Sequence, residues 1–187
     1  MKKMLVFASV AFFAACNNSG DNAKVESMGA GPDSSAVQNV SYAYPVVFSK
    51  FKIGDANHAK MLLEIWKDWD NGNLQTHKDY FADSIAMFLA DAPPMMGKRD
   101  TMLASAQTFR NTYKTVQSSV DAVVPLYSID SSSNWVAVWG REVHTNQKGK
   151  TDSVYLQEVW RLNKDNKFDL MYQFNSVPPA PPAPNKK

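Results

Sequence analysis

Residues 153–174 read SVYLQEVWRLNKDNKFDLMYQF. In Ser153 to Leu162, Leu156, Glu158, Trp160 and Leu162 share one parity, the period of two that places alternate side chains on one face of a strand. Asn163-Lys164-Asp165-Asn166-Lys167 is turn chemistry, and Phe168 to Phe174 resumes as a second strand. The stretch is therefore a β-hairpin. Two more strands precede it, Val116–Ile129 and Trp135–Thr145. They are separated from each other by Asp130-Ser131-Ser132-Ser133-Asn134 and from the hairpin by Asn146-Gln147-Lys148-Gly149-Lys150. Strands joined by such short turns pair with their neighbours, so the second half of the domain is an antiparallel meander.

Further upstream the period lengthens. In residues 59–74, AKMLLEIWKDWDNGNL, the apolar Ala59, Leu62, Ile65, Trp66 and Trp69 recur at three and four, which is one face of an amphipathic helix. Asp55 is its expected N-cap and Asn71-Gly72 its stop. Thr76-His77-Lys78-Asp79 has the form of a capping box that opens a second, short helix and carries Tyr80 and Phe81 toward the core. Ser84–Leu89 is a short strand, and Asp91–Arg99 reads as a turn-rich loop. A third helix is expected from Asp100 through Lys114, with Leu103, Ala106, Phe109 and Tyr113 inward. Tyr42–Phe51, interrupted by Pro45, is an extended arm or edge strand. Helices first and strands after make an α+β domain, spanning residues 42–176.

The flanks are of other kinds. Residues 1–16 read MKKMLVFASVAFFAAC: a basic start, then an apolar stretch from Met4 to Ala15 too short to span a bilayer comfortably. Phe13-Ala14-Ala15-Cys16 resembles a bacterial lipobox. That resemblance implies a signal peptide of residues 1–15, acylation of Cys16, export, and anchoring in the cell envelope, with the outer membrane as the expected address. Residues 16–41 are rich in Asn, Ser, Gly and Ala, and read as a flexible tether. Residues 177–187, VPPAPPAPNKK, favour polyproline II and read as a disordered, solvated stalk, with a recognition tail as the alternative.

Cys16 is the one cysteine of the 187 residues, which excludes an internal disulfide and a cysteine-based zinc site. The formal charge is +2, and loss of Lys2 and Lys3 with the signal leaves 18 basic and 18 acidic side chains. A neutral chain carries no electrostatic footprint for nucleic acid. The histidines at 58, 77 and 144 have no metal-ligand spacing. There is no Gly-x-Ser-x-Gly elbow or phosphate-cradling loop, so neither metal nor cofactor is expected.

The stretches DWDNGNL (68–74), DYFADSIAMFLAD (79–91) and GKRD (97–100), followed by an apolar helix and the closing hairpin, resemble the nuclear transport factor 2-like superfamily. SnoaL-like proteins and ketosteroid isomerases are among its members. The resemblance covers about residues 55–174. It implies a curved antiparallel sheet wrapped by three N-terminal helices into a cone (a cystatin-like roll) with a pocket inside, and homodimers formed through the outer sheet face. Of the three groups used by ketosteroid isomerase-like enzymes, the tyrosine position falls on Ile65, the base position on Leu89 with Asp91 two residues on, and the protonated-acid position on Glu158.

Glu158, Asp91 and His144 are accordingly the catalytic candidates. Glu158 should face inward among apolar groups, where its proton is held more tightly; its structural alternative is a hydrogen bond or ion pair, with Arg141 as the expected partner. Asp91 reads more simply as a loop residue before Pro93-Pro94. His58 and His77 read as surface residues. Trp66, Met87, Trp139, Trp160 and Tyr172 are the candidates for lining a pocket that takes a small apolar ligand. The function expected is a membrane-anchored envelope protein that binds such a ligand or a protein partner in or around its cone. The alternative is an enzyme that transfers protons through pocket carboxylates.

Overall fold

The computed structural model describes residues 41–177. The expected signal peptide, the expected acylation site Cys16, nearly all of the expected tether and the proline-rich stretch after Val177 lie outside them. The elements in chain order are β1 (Phe51–Ile53), α1 (Ala56–Asn71), β2 (Phe81–Phe88), β3 (Met95–Lys98), α2 (Arg99–Arg110), β4 (Tyr113–Ser128), β5 (Ser133–Asn146), β6 (Thr151–Leu162) and β7 (Phe168–Ser176). The strands form one curved sheet in the order β1-β4-β5-β6-β7-β2-β3. The α+β class, the four-strand meander and the wrapping of helices against one sheet face agree with the sequence.

Helix α1 begins and ends as its residues require. The Asp55 carboxylate accepts the Asn57 backbone N–H, and Gly72 closes the helix at φ 70°, the left-handed region that favours glycine. Its buried face is His58, Ala59, Leu62 and Trp66, spaced so that one stripe faces the sheet. The core they enter contains Phe81, Ile85, Met87, Leu103, Val136, Val138, Trp160, Leu162, Phe168 and Met171. Arg110 at the end of α2 is buried; its guanidinium donates to the carbonyls of Trp69, Asp70 and Tyr113 at 2.6, 2.8 and 3.1 Å. It thereby satisfies carbonyls at the α1 C-terminus and ties α1, α2 and β4 together.

Four expectations need correction. The second helix is only a 3-10 turn, Lys78–Tyr80, and the capping box does not form: Thr76 Oγ1 donates to Asn73 O instead. Four residues are too few to nucleate a helix without tertiary support, and Phe81 is already drawn into β2. The supposed loop after β2 contains β3, which pairs antiparallel with β2 through Ala86↔Met96. Helix α2 stops at Arg110, and Tyr113 opens β4. Finally, the sheet is mixed: β2 pairs parallel with β7, Met87 opposite Met171. A short-turn argument cannot reveal this, because the two strands are far apart in sequence.

The residues before β1 form no strand and bend at Ala43, Tyr44 and Val47, and Asp130 holds the two next to β1. Its Oδ2 accepts the backbone N–H groups of Ser49 and Lys50 at 2.7 and 2.8 Å. Those bonds hold its carboxyl below the usual aspartate range. A depressed folded-state pKa contributes stability that is present above the unfolded value and lost as pH falls through the folded one. We therefore expect Asp130→Ala to raise amide hydrogen exchange at Ser49 and Lys50 at neutral pH, while the β5–β6 amides keep their protection. The wild type should show the same local loss only in acid.

Candidate functional site

Strand parity sorts the sheet into two faces. Val136, Val138, Gly140 and Glu142 of β5 stand opposite Trp160, Glu158, Leu156 and Val154 of β6. These residues face α1. Their odd-numbered neighbours, among them Trp139 and Val159, face the other way. The inner face is the cone, and Glu158 lies in it.

Glu158 is buried, and three N–H donors converge on its carboxyl group. Trp66 Nε1 and Trp160 Nε1 each reach Oε2 at 2.8 Å, and Gln173 Nε2 reaches Oε1 at 2.8 Å. Burial raises its pKa, because desolvation outweighs the three donors that favour the charged form. No cation compensates it: Arg141, the partner expected from sequence, lies on the outer side, donates to Ser153 Oγ and sits over the Tyr155 ring. A carboxyl group whose proton is held more tightly can serve as a proton donor. Access is the obstacle. Trp66 lies across the carboxylate from α1, and its ring edge would meet a Cβ at Gly140 at 3.0 Å. Trp66 is itself buried, so α1 covers the carboxyl group from that side.

A second carboxylate shares the inner face. Glu142 is buried; its Oε2 accepts the Trp69 indole N–H at 2.6 Å, and its Oε1 is 2.9 Å from His144 Nδ1. Trp66 and Trp69, three residues apart on one helix, thus each dock on a carboxylate of the sheet. A carboxylate accepts only, so in this contact Nδ1 is the donor. His144 packs on Tyr113 with ring centroids 4.3 Å apart. Glu142 and His144 are not joined to Glu158 by any hydrogen bond among the described residues.

The remaining candidates scatter. Asp91 is exposed in the turn after β2 and accepts from Asn175 Nδ2 at 3.0 Å; Asn175 stands opposite Leu156, two residues beyond the Gln173 that bonds Glu158, but no hydrogen bond joins Asp91 to Glu158 among the described residues. Trp66, Met87 and Trp160 are packed in the core. Trp139 and Tyr172 lie on the outer face, opposite Gln157 and Val159 respectively. His77 is not free: Asp68, itself buried, accepts from its backbone N–H and contacts Nδ1 at 2.9 Å. His58 is buried with Nδ1 unpartnered. It begins the apolar stripe four residues before Leu62, a signal that its position early in the helix obscured. Among the described residues, no cluster of three or more side chains could hold a metal ion, and no helix is long and apolar enough to cross a membrane.

The best-formed concavities lie outside the cone. One, of about 390 Å³, is lined by Phe48, Phe51, Leu126, Trp135, Val159, Tyr172 and Phe174. It shares Phe48 and Trp135 with a more polar hollow over the Ser131–Asn134 and Asn163–Asn166 turns. The aromatic rings come as two walls. Phe48 is tilted against Trp135 on one side, while Tyr172 stacks on Phe88 at 5.0 Å on the other. Phe51, Phe174 and Trp139 are each more than a third exposed. Sequence reasoning missed this groove: Tyr172 was expected to line the cone, and no spacing in the sequence brings Phe48 over Trp135.

No protein-family model matches the chain, and no curated protein matches it either. Solved structures do. AusH from Aspergillus nidulans is similar at 11% identity and a TM-score of 0.53, over 67% of this chain and 87% of that one. SalBIII, an epoxide hydrolase/cyclase-like enzyme with a role in pyran ring formation in the polyether salinomycin, is similar at 14% identity and 0.50, over 65% and 92%. A nuclear transport factor 2-like protein of unknown function from Exiguobacterium sp. is similar at 12% and 0.50, over 62% and 98%. At such identities the likeness carries the fold and nothing finer.

Proposed function

We propose, on the premise of this nuclear transport factor 2-like fold, that the chain is an exported, lipid-anchored binding module whose working surface is the outer face of its sheet. Acylation at Cys16 would hold it to the cell envelope, and residues 16–41 would give it reach from the membrane. The observation that carries the reading is where the open apolar surface lies. On the inner face Trp66 bonds Glu158 and Trp69 bonds Glu142, and neither concavity described above is lined by these carboxylates. The outer face presents an aromatic groove walled by Phe48, Trp135, Tyr172 and Phe174. Exposed apolar surface gathered in one place marks an interaction site. A shallow, nearly donor-free trough on a sheet suits an extended apolar segment of an envelope protein better than a small molecule, which needs to be enclosed.

Two tests divide the reading. Cys16→Ser should release the chain from the membrane fraction, and retention there would remove the anchor. For the surface, a photo-crosslinking residue is placed in turn at Phe174 in the groove and at Phe109, equally exposed at 56% but on α2. Phe174 should give a discrete protein adduct in the host envelope and Phe109 none. Adducts at both positions alike, or at neither, would dismiss the outer face. Pairing of two copies through the same face is the second reading. Exposed Trp139, Tyr155 and Phe174 favour it, and an adduct at twice the chain mass would establish it.

The enzyme alternative has one observation in its favour, the raised pKa of Glu158. It requires a substrate to displace at least one of the three donors that occupy the carboxyl group.

A further inference from the structure

Two hairpin turns meet at one end of the sheet and frame a hollow that the apolar groove does not account for. The β4–β5 turn, Ser131–Asn134, and the β6–β7 turn, Asn163–Asn166, both line it, and Phe48, Trp135, Arg161 and Asp169 complete its wall. Asn134 Nδ2 donates to Asn166 Oδ1 at 3.3 Å and bridges the two turns. Ser132 (φ 50°) and Asn166 (φ 55°) are the two non-glycine residues with left-handed backbone among the described residues, and both belong to this wall. Such a conformation is sparsely populated outside glycine and persists because the surrounding turn imposes it. At about 520 Å³ the hollow falls within the range of small-molecule sites, roughly 300–1,000 Å³.

The lining selects among ligand chemistries. Trp135 is held in place from two sides: its Nε1 donates to Ser133 Oγ at 2.8 Å, and the guanidinium carbon of Arg161 stands 6.0 Å from its ring centroid. Arg161 in turn gives Nε and Nη2 to the two oxygens of Asp169, each at 3.0 Å. A guanidinium already matched by a carboxylate is a poor trap for an anion. Phe48 and Trp135 are tilted by 50° with centroids 6.4 Å apart, which makes a wedge and not the parallel slot that grips a flat ring system. The polar groups left over are mixed. Arg161 Nη1 and Asn166 Nδ2 are donors, Asn134 Oδ1 is an acceptor and Ser132 Oγ is either, and none of the four has a hydrogen-bond partner among the described residues. Donors and acceptors interleaved beside an aromatic wedge match a molecule whose hydroxyls both give and accept while its C–H groups lie against the negative ring faces. A saccharide has that chemistry.

We propose that the hollow between the Ser131–Asn134 and Asn163–Asn166 turns is a saccharide-binding site, with Phe48 and Trp135 as its apolar wedge and Asn134, Asn166 and Arg161 as its hydroxyl partners. It shares Phe48 and Trp135 with the apolar groove, so an occupant of one bears on the walls of the other. The site is argued from its own lining and does not need the groove to bind anything. Its source does rest on the proposed export and anchoring: a chain held to the cell envelope meets the polysaccharides of that envelope. Each hydroxyl exchanges a water partner for a protein one at little net gain, so the affinity for one short sugar chain is on the order of 1 mM.

The test uses the full chain in micelles of a zwitterionic, sugar-free detergent, with its tryptophan indoles ¹⁵N-labelled and the Trp135 resonance assigned by Trp135→Phe. Two probes are titrated separately: maltose, and short oligosaccharides cut from the polysaccharide of the host envelope and freed of lipid and protein. The proposal expects at least one of them to shift the Trp135 indole signal saturably while those of Trp66, Trp69 and Trp160 stay. Asn134→Ala combined with Asn166→Gly, in which glycine keeps the left-handed turn, should leave the unliganded spectrum in place and weaken binding by roughly tenfold or more, the scale of one or two hydrogen bonds. A shift with the envelope oligosaccharides, with or without one from maltose, that the double variant loses establishes both the site and its source. A shift with maltose alone, lost in the same variant, keeps the site and overturns the envelope as its source. A shift that the double variant retains assigns the sugar to another surface and overturns the site, as does the absence of any shift with either probe. Neither negative result bears on the apolar groove, which the Phe174 crosslink tests on its own.

Discussion

Gly140→Ala should destabilise the domain by roughly 3 kcal/mol or more, the upper end of what overpacking costs, measured as a lower urea midpoint. A Cβ at this position would lie 2.3 Å from Ser119 O and 3.0 Å from the Trp66 ring. The first contact is with backbone, which cannot rotate aside as a side chain would. It falls where β4 and β5 slip register between Val120 and Ala122, and a bulge of this kind brings the neighbouring strand unusually close. The second contact couples the strand to the inner site: relieving it moves Trp66, and with it the indole N–H that Glu158 accepts. Loss of stability and a change in Trp66 fluorescence should therefore appear together. Gly149→Ala is the control. At φ 83° it sits in the hairpin turn with nothing within 4 Å of a Cβ, so only the backbone penalty of about 1 kcal/mol applies. Equal costs at the two positions would show that close approach is not what requires Gly140.

What the sequence disclosed follows from which interactions are local. The β5, β6 and β7 strands were legible because alternation and turn residues are written in consecutive positions, and α1 was legible from its stripe, its Asp55 cap and Gly72. The parallel β2–β7 pairing was not, since nothing in FADSIAMF encodes a partner some eighty residues on. Strand β3 was hidden because Met95–Lys98 is held by its pairing to β2 and not by its own propensity. The inner site divides in the same way. Parity alone turned Glu158 inward. Its partners Trp66 and Gln173 come from other elements, and no spacing rule relates them to it. His58 shows the converse error: a polar residue near a helix start reads as solvated until the sheet is seen to cover it. The outer groove was missed for a related reason. Trp135, Val159 and Tyr172 are outward by parity, and only the arm that brings Phe48 over them, pinned by Asp130, turns a sheet surface into a trough.

Glu158→Ala and Glu158→Gln should separate sharply. Alanine leaves the indole N–H groups of Trp66 and Trp160 and the Gln173 amide facing an empty, buried space. An orphaned buried donor costs about 1–3 kcal/mol, and the side chain removed also leaves a cavity. Relief of the buried carboxyl's desolvation works against these losses, so the net expectation is about 3 kcal/mol. Glutamine keeps the volume. Its carbonyl oxygen can occupy the Oε2 position and accept both indoles, and rotation of the Gln173 amide presents an oxygen to the new NH₂ group. We expect that variant to lie within about 1 kcal/mol of wild type at low pH. The pH profile then tests the buried acid itself. Because the folded-state pKa of Glu158 is raised, the folded protein binds the proton more tightly than the unfolded chain. Its contribution is fully present below the ordinary glutamate range and is lost as pH rises through the raised value. Wild-type stability should fall across that window, the Glu158→Gln variant should not follow it, and the two curves should converge toward low pH and diverge toward neutral. Parallel curves would mean that Glu158 ionises normally despite its burial. The enzyme alternative would then lose its acid, leaving the outer face of the sheet as the place where this domain does its work.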